Sequence, residues 1–284
     1  MNETRHLVDM HCGGRIALHR VHGREPFGRP IIVAHGSISN ADTMRTMSRF
    51  LADQGFDCWM LEWGGHGHST PSYPKQNCEF PAFNDLPTAV DCVLEHTQHS
   101  QVFWLSHSGG GHLPLMYLGR HPEQQSRFAG LVTMGTQSTK AATRLRDKFG
   151  CTVLIGITTV LNRTPKVILP LGNEHEPTRL LAQWAGWNIR ERWHGTDGLD
   201  YLQALSAMTI PTVIVAGARD RAAPIAGCRE IYDAIGSDDK TWLVCSEANG
   251  FSRDFGHGEL IRGPAAREEL FPKLVDWIRD RDQY

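Results

Sequence analysis

Seven short apolar runs punctuate the chain: RIALHRV from Arg15, PIIVAHG from Pro30, FDCWMLEW from Phe56, QVFWLSH from Gln101, FAGLVTMG from Phe128, PTVIVAG from Pro211 and KTWLVCS from Lys240. Several are too continuously apolar to be strands with one wet face. They read instead as strands covered on both sides, the mark of a parallel sheet. Between them the pattern changes period. In NDLPTAVDCVLEHT, Leu86, Ala89, Val90, Val93 and Leu94 fall on one helical face, Asn84 or Asp85 is placed to cap it, and Pro87 suits its first turn. Near the end Phe271, Leu274, Val275 and Ile278 repeat that spacing around Pro272, which predicts a closing amphipathic helix.

Strands alternating with helices predict an α/β fold: a doubly wound, mostly parallel sheet with helices on both faces, and chemistry on the loops at the strands' carboxyl ends. One stretch breaks the rhythm. From Ser138 to Met208 there is no clear strand, but Trp184, Trp187 and Trp193 stand among short helical patterns. The expected organisation is a core of residues 1–137 and 209–284 with a helical cap, 138–208, inserted into it. No repeat or low-complexity tract suggests a second independent domain.

Charge and cysteine usage narrow the function. With 29 basic and 31 acidic residues the net charge is −2, so nothing draws the chain to nucleic acid or to an anionic membrane. A small neutral or apolar substrate fits better. The start, MNETRHLVDM, is too charged for a secretory leader, and no apolar stretch approaches the roughly 18 residues of a membrane span. The expected location is the cytoplasm, without stable membrane insertion. The 7 cysteines are scattered with no CxxC pair, so free, mostly buried thiols are expected rather than zinc or redox chemistry.

The strongest chemical signal follows the fourth run. The strand QVFWLSH passes through Ser108-Gly109-Gly110 into a helical pattern, a small-x-Ser-x-Gly arrangement in which Ser106 and Gly110 flank Ser108. A serine on so sharp a turn needs small residues two before and two after it, so that strand and helix can approach. Ser108 is therefore the candidate nucleophile. The Gly109 N–H at the start of the helix is a candidate oxyanion donor. Pro114 should cost that helix one backbone bond and kink it. The second run ends in His35-Gly36, a loop that can bring the Ser37 N–H to the same oxygen, with His35 as a backbone-bonding turn residue. Asp220 follows PTVIVAG by a short loop and is placed to orient a histidine. Asp254, three residues before His257, is a weaker competitor for that role. His257 lies between glycines after the last predicted strand and is the candidate general base, and the chain order Ser, Asp, His supports the set.

These motifs, in this order along nearly the whole chain, resemble the α/β-hydrolase superfamily. HGSISN, FLADQGFDCWMLEWGGHGHS and NDLPTAVDCVLEHT look like segments of its acid-lipase-type and serine esterase branches. The resemblance implies two-step ester hydrolysis: His257 deprotonates Ser108, an acyl-enzyme forms, and water releases the acid, with Ser37 and Gly109 amides on the oxyanion and no cofactor. Ser108 sets the chain apart from similar folds that carry aspartate or cysteine at the elbow.

Other readings were open at this level. His66 and His68 could share a cation with His35, but no completing ligand set is visible, so no metal is expected and WGGHGHS reads as a tight loop. The three tryptophans line an acyl pocket or form the cap's own core. An aminopeptidase would need a carboxylate for the substrate ammonium, and Glu174, Glu176 or Glu191 could supply one. Thioester and lactone cleavage would use the same machinery. A non-catalytic ligand-binding module on the same fold is the alternative of another class.

Overall fold

The computed structural model describes residues 1–70, 76–161 and 174–282. Eight strands form one sheet in the order β1-β2-β4-β3-β5-β6-β7-β8. They are β1 (Asn2–Asp9), β2 (Arg15–His22), β3 (Ile31–Ala34), β4 (Cys58–Glu62), β5 (Val102–His107), β6 (Phe128–Met134), β7 (Thr212–Gly217) and β8 (Lys240–Cys245). The ladders β1–β2 and β2–β4 are antiparallel, and every pairing from β4 across to β8 is parallel. The fold class is thus as expected, and each of the seven apolar runs is one of β2–β8. The strand that the pattern did not announce is β1. It is a mostly exposed edge strand, held by the hairpin to β2, so its side chains answer to solvent rather than to a core.

The helices are α1 (Arg45–Asp53), α2 (Leu86–Thr97), α3 (Gly109–Arg120), α4 (Leu145–Leu161), α5 (Thr178–Arg190), α6 (Tyr201–Ala204), α7 (Ile225–Ala234) and α8 (Phe271–Arg281). Two cores lie on the two faces of the sheet, and strand residues alternate between them. Ile32, Ala34, Trp59, Leu61 and Trp104 face α2, α3 and α7, whereas Ile31, Val33, Cys58, Met60, Phe103 and Leu105 face α1 and α8.

Two local expectations come out differently. A π-helical turn, Pro81–Asp85, leads into α2, and neither Asn84 nor Asp85 caps the helix; the Asp85 carboxylate instead accepts the Gly64 N–H at 2.6 Å. Pro114 lies inside a continuous α3. It cannot bond the Gly110 carbonyl four residues back, and the buried Trp104 indole N–H approaches that oxygen at 3.3 Å in its place.

Between β6 and β7 the described residues carry helices α4, α5 and α6 and one isolated bridge, His194–Asp200; residues 162–173 of the expected cap lie outside the described residues. Trp187, Trp193 and Tyr201 pack there as a buried aromatic cluster, and both tryptophans contact the His112 ring on α3, with centroids at 5.9 and 5.3 Å. Trp184 is partly buried against the same core. The core reading of Trp187 and Trp193 is the one this packing favours. Trp193→Ala, which empties a fully buried site, should cost about 3–5 kcal/mol in urea unfolding.

Candidate active site

The turn from β5 into α3 is built by exclusion of side chains. Ser108 sits between strand and helix with φ 53° and ψ −123°, a left-handed backbone that a non-glycine residue keeps only when its surroundings over-determine it. They do. A Cβ on Gly110 would lie 2.5 Å from the His35 carbonyl and 2.8 Å from that of Ala34, and one on Gly36 would lie 2.9 Å from Ser108 Cβ. The backbone is further pinned by Ser108 N–H donating to Met134 O at 2.8 Å and Thr136 Oγ1 donating to Ser108 O at 2.8 Å. No hydrogen bond of Ser108 Oγ is present among the described residues, so the hydroxyl is not committed elsewhere.

His257 and Asp220 are brought together. His257 Nδ1 lies 2.7 Å from Asp220 Oδ2, and the other carboxylate oxygen accepts N–H bonds from Ala222 and Ala223, each at 2.8 Å. The Asp220 side chain is fully buried while that of His257 is 28% exposed, so the imidazole is anchored at Nδ1 and remains partly accessible. The end of β6 makes room for the pair: Gly135, at φ 61°, would place a Cβ 3.1 Å from Asp220 Oδ2 and 3.2 Å from His257 Nδ1. Asp254 is elsewhere, accepting the Glu247 N–H at 3.1 Å.

Ser37 and Gly109 are close neighbours. The Cβ position of Gly109 is 3.1 Å from Ser37 N and 3.1 Å from Trp63 Cη2, and neither amide has a backbone acceptor among the described residues. The residue after Ser37 has an unexpected partner. Ile38, a β-branched residue at φ 59°, donates its N–H to the buried Glu176 at 2.5 Å, while its carbonyl accepts the Glu174 N–H at 3.3 Å. Residues 174–176 therefore grip the strained residue beside Ser37. Burial works to lower the basicity of His66, but the Glu176 carboxylate 3.3 Å from its Nε2 outweighs this and holds it above its ordinary value.

Sequence reasoning missed two further contributors. His107, the x before the nucleophile, is buried and donates Nε2–H to the His257 carbonyl at 3.0 Å, its ring 4.4 Å from that of His257. Burial, reinforced by His257, holds His107 well below its ordinary basicity, so it remains a neutral donor. Glu176 was singled out only as a possible ammonium receptor; no local pattern marks it as a partner of Ile38. The pairing of His66 with His68 does not form either. His66 turns inward to Glu176 and His68 turns to Glu62, 3.1 Å away, near His19. His35 behaves as a turn residue, with Nδ1 2.7 Å from Gly36 O. Two open clefts lie away from Ser108, one between β1 and α2 around His6 and His96, the other around Phe83 and Arg120.

Residues 29–150 match the family model of the alpha/beta hydrolase fold. Human lysosomal acid lipase/cholesteryl ester hydrolase is 28% identical over 153 residues, 46% of this chain and 38% of that protein. A non-heme chloroperoxidase of Kitasatospora aureofaciens is 32% identical over 110 residues, 37% of each chain. The matched region thus spans less than two fifths of these relatives. Among solved structures, a thermophilic esterase from Thermogutta terrifontis superposes over 99% of this chain and 100% of its own, with TM-score 0.68 and 16% identity. No helix among the described residues is long and apolar enough to cross a membrane.

The buried ionisable groups set an acid limit on stability. Burial presses His35 down to about 3 and His112 to about 4, and His107 shifts the same way. These rings stay neutral in the fold while the unfolded chain takes up protons below about pH 6.5, so their contribution is complete above that pH and is lost as pH falls. Asp85 has the opposite sign: burial raises it from 3.8 to about 7, so its contribution is lost as pH rises through that interval. The melting temperature should fall from about pH 6.5 to about pH 4, the three histidines outweighing Asp85. Asp85→Asn should raise it near pH 8 and steepen the acid fall, checked by thermal melts across pH.

Proposed function

We propose that this chain, an α/β hydrolase by its fold, is a carboxylesterase- or lipase-like serine hydrolase that cleaves a small acyl ester through an acyl-enzyme. The observation that carries the reading is the buried Asp220 bonded at 2.7 Å to His257 Nδ1, on a loop tied to the residue just before a strained Ser108. With Nδ1–H held by Asp220, the proton-free Nε2 is the base that accepts the Ser108 hydroxyl proton as Oγ attacks the ester carbonyl. The Ser37 and Gly109 N–H groups receive the developing oxyanion. His257 then returns its proton to the leaving alcohol. In the second half a water molecule, deprotonated by His257, releases the acid. The lipase and esterase names among the relatives support an ester as the bond cleaved. No cofactor enters these steps.

In this reading residues 138–208 form a cap over a core of 1–137 and 209–284, and govern access. The aminopeptidase alternative is disfavoured because its candidate carboxylates are engaged. Glu174 accepts from Asn40 Nδ2 at 2.8 Å, Glu176 holds Ile38, and Glu191 pairs with Lys140 and Lys148 at 3.0 and 2.6 Å.

A fluorophosphonate probe should label the wild type at Ser108 and leave Ser108→Ala unlabelled, with nitrophenyl ester turnover lost in parallel. Absence of labelling in folded wild type would favour the non-catalytic binding module. Asp220→Asn should fold normally yet lower kcat by up to about 10⁴-fold, because it permits the wrong imidazole tautomer. Near-normal turnover would reassign the acid.

Glu176 has a separate test. Glu176→Ala, which releases the Ile38 N–H, should lower kcat by about 10²-fold with little change in KM, since it disturbs an oxyanion donor used in the transition state. Glu176→Gln keeps an acceptor there and should retain most of the activity.

A further inference from the structure

A second constellation lies outside the candidate catalytic set. Glu62 on β4 is registered opposite Ala17 of β2, so His19, two residues along from Ala17, lies on the same face of the sheet as a diagonal neighbour. Beyond Glu62 the chain turns through Trp63-Gly64-Gly65-His66-Gly67 and comes back with His68 over the carboxylate. The return is possible only for glycine at 67, where φ is 53° and a Cβ would stand 2.2 Å from Glu62 Cδ and Oε1. Ser69 secures the far end, donating to Glu62 O and accepting the Ala17 N–H at 2.9 Å.

The three side chains converge as ligands do. His19 Nε2 and His68 Nδ1 each lie 3.1 Å from Glu62 Oε2, and the ligand atoms are all within 4.8 Å of one another. Around a tetrahedral ion with bonds of about 2.0–2.1 Å, neighbouring ligand atoms stand about 3.3 Å apart. A histidine–carboxylate hydrogen-bond network accounts for His68, whose Nδ1 bonds Glu62, and for the His68 N–H, which donates to the same oxygen at 2.7 Å. It does not account for His19. That residue is 6% exposed, and its Nε2 pairs with Glu62 Oε2 at 3.1 Å without forming a hydrogen bond to any group among the described residues. A buried ring nitrogen left in this state, aimed beside a buried carboxylate, points to something that accepts its lone pair.

We propose that His19 Nε2, the Glu62 carboxylate and His68 Nδ1 bind one divalent cation of the zinc class. Two imidazoles and one carboxylate suit a borderline ion rather than Ca²⁺ or Mg²⁺, which prefer all-oxygen sets. The His68 side chain is 53% exposed, so water completes the coordination from that side. The role is structural. The ion staples the loop after β4 to β2, and that loop carries Trp63, which borders Gly109, and His66, which pairs with Glu176. No step of ester cleavage passes through it.

The test uses the full chain stripped with a chelator and titrated with Zn²⁺ by calorimetry and with Co²⁺ by visible absorption, so its readouts do not depend on turnover. One ion should bind per chain and raise the melting temperature. His68→Ala, an exposed change that leaves the core intact, should weaken binding by at least about tenfold. His68→Cys should restore it and add a thiolate-to-cobalt charge-transfer band in the near ultraviolet. The proposal is overturned if wild type binds neither ion at sub-millimolar concentration. It is equally overturned if His68→Ala binds as tightly as wild type, which would place the ion elsewhere.

Discussion

The site hangs on one steric constraint: the reversal from β5 to α3 must pass against the ends of β3 with nothing between the two backbones. Gly110 meets the carbonyls of Ala34 and His35 directly, and this contact sets where α3 begins and forces Ser108 into its left-handed conformation. Several features follow. Gly36 must be bare because Ser108 Cβ lies over it. The Ser37 N–H is carried to within reach of the first turn of α3. Pro114 is tolerated because the carbonyl it leaves without its helical partner is met by Trp104. Strain of this kind costs on the order of 1–3 kcal/mol per residue and persists where the surrounding fold offsets it.

Around this turn the protein buries several ionisable groups, and each is held differently. Asp220 is buried and accepts two backbone N–H bonds besides its contact with His257. His35, His107 and His112 remain neutral and serve as donors or acceptors to backbone carbonyls. Glu176 and His66 sit together at the seam between the segment after α4 and the sheet. That seam is polar where it touches the loop after β3 and aromatic where Trp187 and Trp193 cover α3. The first kind of contact is directional and places one backbone amide, whereas the second is adaptable and supplies burial.

Much of this was legible along the chain. Strands buried on both faces leave continuous apolar runs, so β2 to β8 could be read directly, and the alternation with helices implied the parallel sheet. Ser108, Asp220 and His257 were each legible as candidates from a glycine-bearing or strand-following loop and from their order, and the contact of His257 with Asp220 is the part of that set seen directly in the structure. The edge strand β1 was not, because an exposed strand has no core to imprint a period on it. Asp85 could not be distinguished from a helix cap, since a carboxylate before an apolar run suits either role until Gly64 is brought beside it.

What the sequence alone determined is therefore whatever is decided within a few residues: side-chain period, small residues at a turn, a carboxylate or imidazole at the end of a strand. What the tertiary structure decided are contacts across the chain: Glu176 with Ile38, 138 positions apart, His107 with His257, 150 apart, and the separation of His66 from His68 toward different carboxylates. The physical reason is that a hydrogen bond depends on ångström distances and on alignment. Those are set only when the sheet has closed and the loops at its carboxyl edge have been drawn to one place.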